Sequence, residues 1–190
     1  EKTQPMGAKS RDELLKHLGF TPKDLGLTET DFSANGMATV EGWIATHGQD
    51  GFERQLSSLY RKNPGFKHGQ IVSAAEVGAT LKESANYAMV LKGWTYPAFY
   101  ENTDERHAVV FQGAAERASG KGVWAGDETM TGFEPTPAAL GAGGALVYPK
   151  FYRRVEKWKN AKPDSAAFLA WLKKQKDGKK LVSGAEAKPV

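Results

Sequence analysis

One side chain in this sequence stands where a fixed positive charge could do chemistry. In GQDGFERQLSSLY, residues 48–60, Arg54 falls where a polar turn becomes a strand. A guanidinium is a planar fork of N–H donors that can hold two phosphate oxygens at once. Rooted on a rigid element beside a loop, such a fork could form part of a phosphate site. The plainer reading of the same residue is a surface salt bridge. The four histidines, His17, His47, His68 and His107, are too far apart in sequence to form a metal-binding pattern, and only His47 falls near the Arg54 turn. There is no cysteine, so neither a disulfide framework nor a thiolate metal site is available.

Arg54 needs elements to hold it. MATVEGWIATHG reads as a strand with a bulge at Gly42, and RQLSSLYRK as a second strand. The turn HGQDGFE joins them into a hairpin. Before the hairpin, PMGAKSRDELLKHLGF reads as a helix with an apolar stripe at Leu14, Leu15 and Leu18, ended by Gly19. After it, SAAEVGATLKESANYAMVLKGW reads as one helix with Leu81, Ala85, Ala88 and Met89 at helical spacing and Gly93 at its close. TYPAFYENTD is irregular and aromatic. A third helix follows in TDERHAVVFQGAAERASGKG, with Thr103 or Asp104 as N-cap.

The stretch 126–145, rich in Gly, Pro and Thr, reads as a linker. Residues 146–178 then read as a basic helical hairpin, with Phe151, Val155 and Trp158 on one stripe and Phe168, Trp171 and Leu172 on the other. Residues 179–190 read as a flexible tail. The division is therefore 1–125, 126–145, 146–178 and 179–190.

The chain has 190 residues, 40% of them apolar and 25% charged, which suits a soluble domain with one core. No apolar run approaches the roughly 20 residues needed to span a bilayer, so no membrane is expected. Secreted, cytoplasmic and virion-associated locations are all compatible with the composition. The net charge of +4 is uneven. Residues 1–124 hold 14 Lys and Arg against 15 Asp and Glu, whereas residues 125–190 hold 12 against 7. The basic character therefore belongs to the C-terminal third. It could track nucleic acid or another anionic surface, or be only a solvated helix face.

Four pieces in this order resemble the staphylococcal nuclease (thermonuclease) family, from Glu1 to about Ala125. EKTQPMGAKSRDELLKHL resembles the segment that follows the family's Pro-Glu motif. DGFERQLSSLY resembles its Asp-x-Tyr-Gly-Arg-x-Leu turn and strand. SANYAMVLKGWTYP resembles its Asn-x-x-Leu-Val-x-x-Gly helix with the aromatic residues after it. HAVVFQGAAERASGKGVWA resembles its closing helix and Gly-Leu-Trp stop.

The resemblance implies an α+β fold: a partial OB-like β-barrel with packed helices, extended here by the C-terminal helical hairpin. It implies metal-assisted hydrolysis of DNA or RNA phosphodiesters with calcium. Carried over by position, Glu1 falls on the family's proposed general base and Arg54 on the second of its two arginines. Asp50 opens the turn, and Tyr96 and Tyr100 fall in the aromatic segment that lines the nucleotide pocket. Both tyrosines could equally plug the core. The family's first strands, first arginine and calcium-binding aspartates precede the glutamate, so no metal ligand is expected within this chain. About three strands of the wall are expected from an upstream segment or another chain, because a hairpin and helices cannot close a barrel.

Two positions depart from the pattern. Phe52 stands where the family usually has Tyr, and Glu53 where Gly is usual, which puts a negative charge beside Arg54. These departures favour a second expectation, a non-catalytic module of the same fold that binds nucleic acid or serves as a structural component of a larger assembly.

Overall fold

The structure is a computed structural model, and it describes residues 4–27, 38–49, 53–99, 103–141, 143–158 and 164–175. It is mixed helix and sheet, as the α+β expectation has it. Helix α1 spans Gly7–Leu18, and Gly19 at φ 93° ends it where the sequence placed the stop. The Phe20 N–H returns to the Leu15 carbonyl at 2.8 Å, a closure that needs the left-handed residue between them.

Strands β1 (Trp43–Gln49) and β2 (Gln55–Tyr60) pair antiparallel, with Trp43 opposite Tyr60 and Ala45 opposite Ser58. The register shifts between Thr46 and Gln49. Gly48 sits in that irregularity at φ 116°. The bulge thus lies near the turn, where a left-handed glycine is present, and not at Gly42. Facing residues share a side of the sheet. Tyr60 and Ser58 point inward and are buried, while Ile44 on the other face is 66% exposed. Among the described residues the sheet has two strands.

The next helix is divided. Helix α2 covers Ala74–Thr80, a 3-10 turn covers Leu81–Glu83, and α3 covers Ala85–Leu91. Helical spacing alone predicts one helix, but two serines compete for the backbone. Ser73 and Glu76 form a reciprocal capping box at the start of α2. Ser84 has extended backbone, accepts from the Tyr87 N–H at 3.1 Å and donates to the Leu81 carbonyl at 2.6 Å. It ends one helical segment and starts the next. Being wholly buried, it leaves no orphaned hydroxyl.

Helix α3 fixes the hairpin. The Asn86 side-chain amide accepts from the Leu59 N–H at 2.9 Å and donates to the Ser57 carbonyl at 3.1 Å. Helix α4 (Glu105–Ala118), N-capped by Asp104, packs small residues Ala114 and Ala115 against Tyr87 and Val90 of α3.

The stretch 126–145 is tied by hydrogen bonds to the residues that follow it. Asp127 bridges to Leu146, the Glu128 N–H donates to the Leu146 carbonyl at 2.8 Å, and the Tyr148 N–H donates to the Thr129 hydroxyl at 2.7 Å. Thr136 and Leu140 in this stretch are buried. Helices α5 (Pro149–Trp158) and α6 (Ser165–Leu172) follow, the latter capped by Asp164. Their inward faces, Phe151, Tyr152 and Val155 with Phe168 and Leu172, join Leu140, Val147 and Tyr148 in one core. Trp158 closes it against Phe168 and Trp171, with ring centroids 6.0 and 5.4 Å away. Among the described residues, no helix is long and apolar enough to cross a membrane.

Candidate phosphate site and its surroundings

Arg54 is exposed and immediately precedes β2, so the strand fixes its backbone while its side chain reaches solvent. The residue before it, Glu53, has φ 61°. That left-handed conformation favours glycine and costs an L-residue roughly 1–2 kcal/mol. The turn thus holds a backbone shape suited to glycine at position 53 and places a carboxylate there instead. Replacing Glu53 by Gly is expected to stabilise the fold by about 1 kcal/mol, read as a higher urea midpoint, because relief of strain outweighs the added freedom of the unfolded chain. A lower midpoint would show that the turn depends on the glutamate side chain.

The ends of α3 and α4 meet through two glycines. Gly93, at φ 79°, closes α3: its own N–H reaches the Val90 carbonyl at 2.9 Å and the Trp94 N–H reaches Met89 at 2.9 Å. Its carbonyl then accepts from the Val123 N–H at 2.7 Å. A Cβ on Gly122 would lie 2.1 Å from that carbonyl oxygen, and one on Gly93 would lie 2.6 Å from the Lys121 oxygen. Only two bare α-carbons allow this approach. The aromatic segment leaves from here. The Trp94 carbonyl accepts from the Ser10 hydroxyl, which ties α1 to the end of α3.

Tyr96 lies in this segment and turns into the core. Its ring packs 4.7 Å from Trp124 and edge-on to Tyr148 at 5.5 Å. The hydroxyl is buried, without a hydrogen bond of ordinary geometry. Burial pushes the phenol well above its usual range, and the nearby Asp127 carboxylate adds to the effect. Tyr96 is therefore a neutral core side chain that joins the α3–α4 end to the α5–α6 core.

A cavity of about 300 Å³ lies between α1, β2 and α3. Leu14, Leu59, Met89 and Trp94 give it mainly apolar walls, with Arg11 and Asn86 as polar members. Arg11 is paired with Asp12 at 2.8 Å. Neither Arg54 nor Tyr96 lines this cavity. Among the described residues no three His, Asp or Glu side chains could hold a metal ion together.

Of the residues singled out from sequence, Arg54 stands exposed at the strand root and Tyr96 in the aromatic core. Glu1, Asp50 and Tyr100 lie outside the described residues, as do Phe52 and the 179–190 tail. Sequence reading missed Asn86. A single Asn in the first turn of a helix has no local signature, and its role appears only once β2 lies beside α3. No protein-family model matches this chain, and neither a curated protein nor a solved structure matches it.

Proposed function

We propose that this chain forms the hairpin-and-helix part of a phosphodiesterase of the staphylococcal nuclease type, acting on DNA or RNA. The observation that carries the reading is the left-handed backbone of Glu53 directly before Arg54 at the root of β2. A Gly-Arg turn of that family would hold the same shape. Further support comes from the sequence pieces themselves: β2, the end of α3 and the end of α4 are neighbours, linked by Asn86 and by the Gly93–Gly122 approach.

In this reading the Arg54 fork neutralises charge as it develops on the phosphate oxygens, and Glu1 takes a proton from the attacking water. The Glu53 carboxylate raises the cost of bringing an anion to the same turn. The described residues do not fit a calcium site. Its ligands, and the strands that would complete an OB-like wall, belong in this reading to a segment or chain outside them. The test is cleavage of single-stranded DNA by the full-length protein with calcium and with chelator. Chelator-sensitive cleavage is expected, with a loss of about a hundredfold or more on Arg54→Ala, as for removal of one preorganised charge-stabilising donor. Full activity in that variant would end the role assigned to Arg54.

A second reading is supported by Glu53 beside Arg54: a module that keeps the fold and binds nucleic acid or builds an assembly without cleaving. It predicts no chelator-sensitive cleavage in the parent protein, and binding that strengthens when Glu53 is replaced by Gln.

A further inference from the structure

We infer that the outward face of α5 binds the sugar–phosphate backbone of a nucleic acid, without sequence preference. Four cations, Lys150, Arg153, Arg154 and Lys157, occur on this ten-residue helix at i, i+3, i+4 and i+7, which is one face. The single acidic residue of the helix, Glu156, falls outside that stripe. Arg153 and Lys157 are exposed, and Lys150 and Arg154 are half-buried. From Lys150 to Lys157 the helix rises about 10 Å at 1.5 Å per residue. That is the length of duplex axis over which one strand presents about three phosphates, at about 3.4 Å of axis each.

The opposite face disfavours an inserting contact with lipid. A helix that binds a lipid surface buries its apolar face in the bilayer. Here that face is already used: Phe151, Tyr152 and Val155 are buried in the protein's own core, Val155 completely. The stripe is therefore held rigidly and has nothing to insert. The stripe has no aromatic or aliphatic anchor, and its arginines could also hold an acidic protein surface, which the phosphodiester reading makes the lesser choice. It has no Asn, Gln or aromatic side chain, and its cations suit phosphate oxygens, so the contact is taken to be mainly to the backbone. The inference deepens the phosphodiester reading by naming the surface that holds the strand, and rests on it for the choice of partner.

The test is fluorescence anisotropy of the full-length protein with a labelled 20-nucleotide mixed-sequence DNA strand, from 50 to 200 mM salt, in chelator so that cleavage cannot intervene. Replacing all four cations by Gln should flatten the slope of log affinity against log salt by up to about 3, at roughly 0.7 per phosphate contact of a single strand. Arg153→Gln with Lys157→Gln, at the two exposed positions, should flatten it by about 1.5 and keep the parent's circular dichroism. The control pair Lys9→Gln and Lys23→Gln, exposed on the N-terminal part, should leave the slope unchanged. The inference fails if the parent does not bind the strand, or if the Arg153/Lys157 variant keeps the parent's slope. It fails equally if phosphatidylserine vesicles capture the protein through these four residues while DNA does not. Stripe-dependent binding without calcium-dependent cleavage would refute only the catalytic reading. Cleavage with stripe-independent binding would refute only this inference.

Discussion

Gly122→Val is expected to destabilise the protein by about 3–5 kcal/mol, in the range of the most damaging single substitutions. Three costs act together. The backbone at position 122 has φ 51°, which a β-branched residue resists. The new Cβ would lie 2.1 Å from the Gly93 oxygen, where no Cβ can stay. Moving apart breaks the 2.7 Å bond from the Val123 N–H to that oxygen. Gly93 cannot yield, because it also has a left-handed backbone and lies against Lys121. At about 2–4 °C per kcal/mol for a chain of this size, the thermal midpoint should fall by roughly 10 °C. Gly120→Ala is the control. Its φ is 72°, but nothing lies within 4 Å of the added carbon, so only the conformational cost of about 1 kcal/mol applies. Equal effects of the two substitutions would mean that the loops do not touch.

Val155→Asp should be comparably severe. Val155 is completely buried between α5 and its core partners. An unpaired carboxylate there loses its hydration without a compensating bond, at about 4 kcal/mol or more, and it also loses the apolar contacts of valine. Trp158 and Trp171 border this core, so tryptophan fluorescence should report its loss at lower denaturant. Far-UV circular dichroism should shift with it, because Tyr96 packs on both Trp124 and Tyr148, and the Gln4 side chain donates to the Val147 carbonyl at 2.7 Å. Separate transitions would show that the α5–α6 core unfolds alone. Ala166→Asp, on the exposed face of α6, should change stability by less than about 0.5 kcal/mol.

Much of the fold was legible in the sequence, and the reasons are local. Gly19, Gly93, Asp104 and Asp164 announce helix ends by chemistry that acts within one turn. The hairpin and the buried stripes of α5 and α6 follow from periodicity. What failed depended on rival local bonds or on distant partners. The Ser84 cap divides a segment whose apolar spacing continues straight through it. Glycine content made 126–145 look like a linker, yet its Glu128 N–H bonds to the Leu146 carbonyl and its Thr129 hydroxyl accepts from the Tyr148 N–H. The candidate site was legible to a lesser extent. Arg54 needed only the turn and strand beside it. The surroundings of Tyr96 are set by Trp124 and Tyr148, which no spacing rule brings together.

The Asn86 amide closes one flank of the hairpin to further strands. One flank of the ribbon has its peptide groups occupied by a helix side chain, at Ser57 and Leu59. A third ribbon approaching there would have to displace α3 and compete with two formed bonds. An added strand, from the same polypeptide or a neighbour, is therefore disfavoured on the β2 flank. Removing that single carboxamide, as in Asn86→Ala, would leave the Leu59 N–H and the Ser57 carbonyl without these bonds while α3 still covers the flank.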